Sequence, residues 1–104
     1  MDRDQLLDET RKRLEAVHGE RLRGLVLYGS TARGDAGPES DIDLLVLLNG
    51  PVDFGRDLDR NLDALYPLAR QLGRRISPKP IDADEYERID CPLYRSASEE
   101  GVRE

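Results

Sequence analysis

Asp41 and Asp43, separated by the single residue Ile42 and followed by the apolar run Leu44 to Leu48, are the pair in this chain best placed to do chemistry. Side chains on a strand alternate between faces, so both carboxylates project to one side while Ile42 and Leu44 are free to be buried. Two oxygen donors aimed at one point suit Mg²⁺. That ion takes one or two protein carboxylates, keeps several waters and completes its shell with a substrate's phosphates. Asp41 and Asp43 are therefore the candidate metal ligands and, by the same position, the candidate catalytic residues.

A second half-site lies upstream. The apolar stretch Leu22 to Tyr28 ends in Gly29-Ser30. Gly lets backbone approach a phosphate oxygen with no Cβ in the way, and Ser30 adds a hydroxyl donor. A helical turn over Thr31 to Gly34 would aim its first N–H groups at an anion. Arg33 would reach a terminal phosphate as a rigid charged fork. Gly29, Ser30 and Arg33 are thus the candidate nucleotide-binding residues, and a nucleoside triphosphate is the ligand that both half-sites fit.

Other phosphate and metal motifs fail. No Gly-Lys-Ser/Thr closes a P-loop, and no Gly-x-Gly-x-x-Gly opens a helix after a strand. A calcium loop would need further oxygen ligands and a Gly where Leu44 to Leu48 stand. Plainer roles compete residue by residue: Asp41 and Asp43 as a solvated edge, Arg33 paired to Asp35 or Glu39, and Tyr28 as a half-buried strand aromatic rather than a base-stacking one.

The elements that must position these groups are legible from period. Leu7, Thr10, Leu14 and Val17 recur at helical steps between Asp4 and His18, and Gly19 closes that helix. Two strands follow, Leu22 to Tyr28 and the run after Asp41, and Asn49-Gly50-Pro51 stops the second. A helix over Asp57 to Leu72 shows Leu58, Leu62, Leu65, Ala69 and Leu72 on one side, with Pro67 predicting a kink or break near Leu65-Tyr66. Arg75 to Ile81 reads as a third strand. Its Pro78 and Pro80 remove donors from one side alone, which an edge position permits. Asp82 with Glu85 forms an N-cap signature for a short helix to Arg88, and a last helical turn is expected from Leu93. The expected fold is α/β, a small mixed sheet of about three strands with flanking helices, as one domain over residues 1–104.

Composition narrows the function classes. A chain of 104 residues buries about two-thirds of its unfolded surface, and with 37% charged residues, no Trp and one Phe its core must be thin. The net charge of −6, without a basic stripe carrying interleaved aromatics, argues against direct binding to a nucleic-acid backbone. Arg11, Lys12, Arg13, Arg21 and Arg23 read as solvated helix and strand-edge charge. A single cysteine, Cys91, rules out an internal disulfide and suits the reducing cytoplasm. His18 is equally alone, so zinc has no ligand set. The absence of a long apolar segment argues against membrane insertion.

The run Gly29-Ser30-Thr31-Ala32-Arg33-Gly34, followed by Ser40-Asp41-Ile42-Asp43-Leu44-Leu45-Val46, resembles the minimal nucleotidyltransferase (MNT) domain of the DNA polymerase beta superfamily. The resemblance implies the nucleotidyltransferase fold and transfer of a nucleoside monophosphate, AMP from ATP above all, to an acceptor hydroxyl, with Mg²⁺ as a pair of ions. Many small members are antitoxins of HEPN/MNT toxin–antitoxin pairs, and some modify a tyrosine of the HEPN-domain ribonuclease, so a HEPN toxin is the implied partner.

Active members of that family carry a third carboxylate on the next strand. Ser77 stands at that place here, with Asp82 as the nearest acid in sequence and Asp53 a more remote one. Three readings follow: an adenylyltransferase acting on a partner toxin, a catalytically weak module that neutralises its partner by covering it, or an aminoglycoside-type nucleotidyltransferase.

Overall fold

The computed structural model describes residues 2–29, 40–89 and 91–103. Helix α1 spans Arg3–His18 and leads through a 3₁₀ turn at Gly19–Arg21 into β1, Leu22–Tyr28. Strand β2 is Ile42–Leu48, helix α2 Phe54–Leu72, strand β3 Ile76–Asp82, helix α3 Ala83–Arg88, helix α4 Pro92–Glu100 and strand β4 Val102–Arg103. The sheet is mixed, in the order β3-β2-β1-β4. β1 runs antiparallel to β2 and β4, whereas β2 and β3 are parallel. The α/β fold expected from sequence is present, with the two-residue β4 as an addition that its length hid from any periodicity.

Alternation along the strands divides the core into two layers. Leu25, Leu27, Ile42, Leu44, Val46, Leu48 and Ile76 face one side and pack with Leu6, Leu7 and Leu14 of α1 and Leu65 and Leu68 of α2. Val26, Leu45 and Leu47 face the other side with Ala83 and Tyr86 of α3 and Ala97 of α4. β2 is covered on both faces, and five consecutive residues from Leu44 to Leu48 are fully buried. An uninterrupted apolar run is what a central strand requires.

Pro78 and Pro80 sit in β3, which is an edge strand, so the donors they lack are not missed by a second neighbour. Pro67, by contrast, does not break α2. The helix runs unbroken for 19 residues, because Pro67 and Asp63, whose carbonyl loses its donor, both lie on the exposed side. α2 also begins earlier than expected, with the Asp53 carboxylate accepting from Arg56 N at 3.2 Å.

Two buried polar contacts replace apolar positions. Val17 and Leu62 are 44% and 42% exposed, while His18, Asp57 and Asn61 are buried. His18 Nε2 lies 2.6 Å from Asn61 Oδ1, and Asn61 Nδ2 donates to the Pro78 carbonyl at 3.0 Å, linking α1, α2 and the β3 edge. Arg21 grips Asp57 through both guanidinium ends at 3.0 and 3.1 Å and also donates to the Pro51 carbonyl at 3.1 Å. Arg21 is therefore a structural clamp rather than a solvated charge, whereas Arg11 and Arg13 pair locally along α1 with Glu15 and Glu9. Among the described residues no helix is long and apolar enough to cross a membrane.

Candidate active site

β1 ends where β2 begins, so their antiparallel register brings Tyr28 opposite Asp43. Gly29, the next residue, has φ 75°, a left-handed conformation that glycine adopts without a Cβ penalty. Its bare Cα faces the Asp43 carboxylate: a Cβ at Gly29 would stand 2.8 Å from Asp43 Oδ2. Gly29 thus serves the site in a way the sequence alone did not specify, by leaving room for a carboxylate oxygen.

Asp41 is held from both sides in the chain. Arg74 Nε donates to the Ser40 carbonyl at 2.8 Å, and Ile42 N donates to the Arg75 carbonyl at 2.8 Å. Both anchors come from the segment entering β3, so the backbone around Asp41 is fixed by the neighbouring strand. Asp41 itself is exposed and Asp43 half-buried, at the same end of the sheet.

The charge balance at this end suits a bound cation. Burial pushes the Asp43 carboxyl above its ordinary range, and the Asp41 charge adds to that effect, with Lys79 opposing it. Tyr28 is raised as well, first by burial and then by Asp43, so its hydroxyl keeps its proton at neutral pH. Paired carboxylates that repel one another, beside a glycine with no side chain, fit a divalent ion with oxygen preference. Asp41 and Asp43 are the residues that would hold it. Among the described residues no group of three His, Cys, Asp or Glu side chains gathers to form a fuller cage.

The register of β2 and β3 locates the remaining acids. Asp43 pairs with Ser77, so a serine occupies the neighbouring position on the same face. Asp82 pairs with Leu48, five residues further along, or about 16 Å at the usual strand rise. There its carboxylate caps α3, accepting from Asp84 N at 2.9 Å and Glu85 N at 3.2 Å. Asp53 is spent on the α2 cap beyond the same far end of β2. Neither acid reaches the Asp41–Asp43 pair.

Lys79 is the residue that sequence reading missed. It lies two positions beyond Ser77 on β3, on the face that carries Asp43. The alternation rule applied to Ser77 would have found it. Ser30 and Arg33 fall outside the described residues, as do the Thr31–Gly34 turn and the acids Asp35 and Glu39. A separate apolar groove of about 400 Å³, lined by Leu62, Leu65, Tyr66, Ala69, Arg75 and Ile76, opens beside α2 rather than at the carboxylates.

Residues 5–103 match the sequence profile of the family described as Nucleotidyltransferase domain. Over 103 residues the chain is 31% identical to the putative protein adenylyltransferase MJ0604 of Methanocaldococcus jannaschii, covering 97% of this chain and 96% of that one. A toxin–antitoxin crystal structure with AMP-PNP aligns with a TM-score of 0.64 at 20% identity, over 93% of this chain and 72% of that one. Spectinomycin adenyltransferase AAD(9) from Enterococcus faecialis, solved with ATP and spectinomycin, aligns with a TM-score of 0.64 at 22% identity, over 88% of this chain and 38% of that one. At those identities the two solved structures share the fold.

Proposed function

We propose that this chain, which belongs to the nucleotidyltransferase domain family, moves AMP from ATP to a hydroxyl on a partner protein, a tyrosine of a HEPN-type ribonuclease toxin, and so acts as its antitoxin. The observation that carries this reading is the convergence of Asp41 and Asp43 on the sheet end where Gly29 leaves space against Asp43. The kinship with a relative named putative protein adenylyltransferase supports the protein acceptor. The toxin–antitoxin fold neighbour holding AMP-PNP supports the partner and the triphosphate.

Each residue has a part in that transfer. Gly29 and Ser30 take the outer phosphates, Arg33 offsets their charge, and Asp41 and Asp43 hold Mg²⁺. Bound by Asp41 and Asp43, Mg²⁺ would supply positive charge to offset that of the departing pyrophosphate. The acceptor oxygen attacks the α-phosphorus as the bond to the bridging oxygen of the β-phosphate breaks; pyrophosphate departs, and the hydroxyl proton leaves to solvent or a nearby base. Catalysis of this kind rests on alignment and charge neutralisation rather than on a protein nucleophile.

A second reading has its own observation. Ser77 beside Asp43, with Asp82 at the far end of β3, leaves the described pair without a third acid, which favours a module that neutralises its partner by covering it. One experiment separates the two: incubate the chain and its partner with Mg²⁺ and ATP labelled at either the α- or the γ-phosphate. Transfer of α-label to the partner, with no γ-label, supports the adenylyltransferase. Protection of the partner without label, retained by Asp41→Asn/Asp43→Asn, supports covering.

A further inference from the structure

Three observations converge on Lys79. Its strand partner across β2 is Leu45, one alternation beyond the Asp43–Ser77 pair, so Lys79 and Asp43 are diagonal neighbours on one face with Cα atoms about 8 Å apart. That gap is one a lysine side chain spans. The site also has a deficit of acid, since Ser77 fills the position flanking Asp43 and Asp82 lies at the other end of the strand. Finally, among the described residues no carboxylate stands within ion-pair distance of Lys79, although its charge is felt at Asp43. A half-buried lysine on the same face as a metal-binding carboxylate, with no salt-bridge partner among the described residues, is an arrangement that an incoming anion completes.

We propose that the site works with one divalent cation, held by Asp41 and Asp43, and that the Lys79 ammonium contacts the phosphate undergoing transfer, supplying the positive charge that a third carboxylate would otherwise recruit as a second ion. The inference rests on the adenylyltransferase reading and deepens it. A neutral Ser77 is a poor ligand for a second Mg²⁺, whereas a fixed ammonium neutralises phosphate charge directly and demands no further acid. Lysine in this role acts as a point charge, so arginine retains part of the effect and a neutral side chain none. The bonds made and broken in the transfer are unchanged; Lys79 keeps its proton throughout.

The test uses the full chain with α,β-methylene-ATP, which binds as ATP does and cannot release AMP. Manganese bound per protein–nucleotide complex, counted by electron paramagnetic resonance, should reach one in the wild type. Lys79→Gln should weaken uptake of the analogue by roughly tenfold or more, the size of a lost charge-assisted contact, and Lys79→Arg should recover much of it. Circular dichroism establishes that both variants fold. Two manganese ions in the wild type, or equal uptake by folded Lys79→Gln, would overturn the Lys79 assignment while leaving the adenylyltransferase intact. A wild type that takes up no analogue would remove both.

Discussion

Asp43 Oδ2 occupies the space that a side chain on Gly29 would need, with 2.8 Å between that oxygen and the position of a Gly29 Cβ. The backbone there has φ 75°, a conformation that costs an L-residue about 1–2 kcal/mol. Gly29→Ala should therefore lower stability by about that amount and also displace the carboxylate. We expect a folded protein with a modestly reduced Tm and Mn²⁺ uptake reduced by at least about tenfold, measured by calorimetry. A variant with unchanged uptake would show that the Gly29–Asp43 approach has no bearing on the metal.

The same carboxylate sets a pH dependence. Burial first, and Asp41 second, raise Asp43 above the ordinary value of about 3.9, so protons compete with the metal at higher pH than they would at an unperturbed aspartate. Mn²⁺ affinity measured from pH 8 downward should begin to fall above the ordinary carboxylate range. Lys79 opposes the shift, so Lys79→Gln should move the fall to still higher pH.

Asp57 works in the opposite direction and affects folding rather than binding. Hydrogen bonding from Arg21 holds its carboxyl below the usual range. A depressed folded-state pKa means that the pair's contribution is complete above the unfolded value of about 3.9 and is lost as pH falls through the folded one. Asp57 is 2% exposed and Arg21 33%, so breaking the pair by Asp57→Asn should cost about 2 kcal/mol, less than for a fully buried pair. Thermal unfolding at neutral pH should report that loss, and the acid limb of the variant's stability curve should be shallower.

Asn61 joins three elements, bonded to His18 at 2.6 Å and to the Pro78 carbonyl at 3.0 Å. Asn61→Leu would strand both partners in the core. Unsatisfied buried groups cost about 1–3 kcal/mol each, so a loss of about 2–6 kcal/mol is expected in urea denaturation. Because Pro78 lies next to Ser77, amide exchange should also rise along β3.

Much of this was legible beforehand because it depends on local pattern. The alternation at Asp41 and Asp43, the buried run Leu44 to Leu48 and the Asp82 cap all follow from nearest neighbours along the chain. What stayed hidden depends on partners remote in sequence. Asp57 and Asn61 interrupt the apolar stripe of α2 because Arg21 and His18 wait for them across the core. Pro67 predicts a break only if its lost hydrogen bond is buried, and it is not. Lys79 gains meaning only when the β2–β3 register sets it beside Asp43, a tertiary fact that no single strand contains.

Asp82 offers a control on the site's boundary. Its removal by Asp82→Ala should cost about 1 kcal/mol through the lost α3 cap and leave nucleotide uptake unchanged, since it stands at the far end of β3 from Ser77. Calorimetry of the variant with α,β-methylene-ATP and Mg²⁺ checks this.

In the proposed transfer, Asp41 and Asp43 together hold the cation under a nucleoside triphosphate. The decisive experiment is calorimetric titration of α,β-methylene-ATP with Mg²⁺ into the wild type and into folded Asp41→Asn/Asp43→Asn. Uptake by the wild type should be saturable and should be abolished in the double variant. Equal uptake by both proteins, or none by the wild type, would contradict that arrangement.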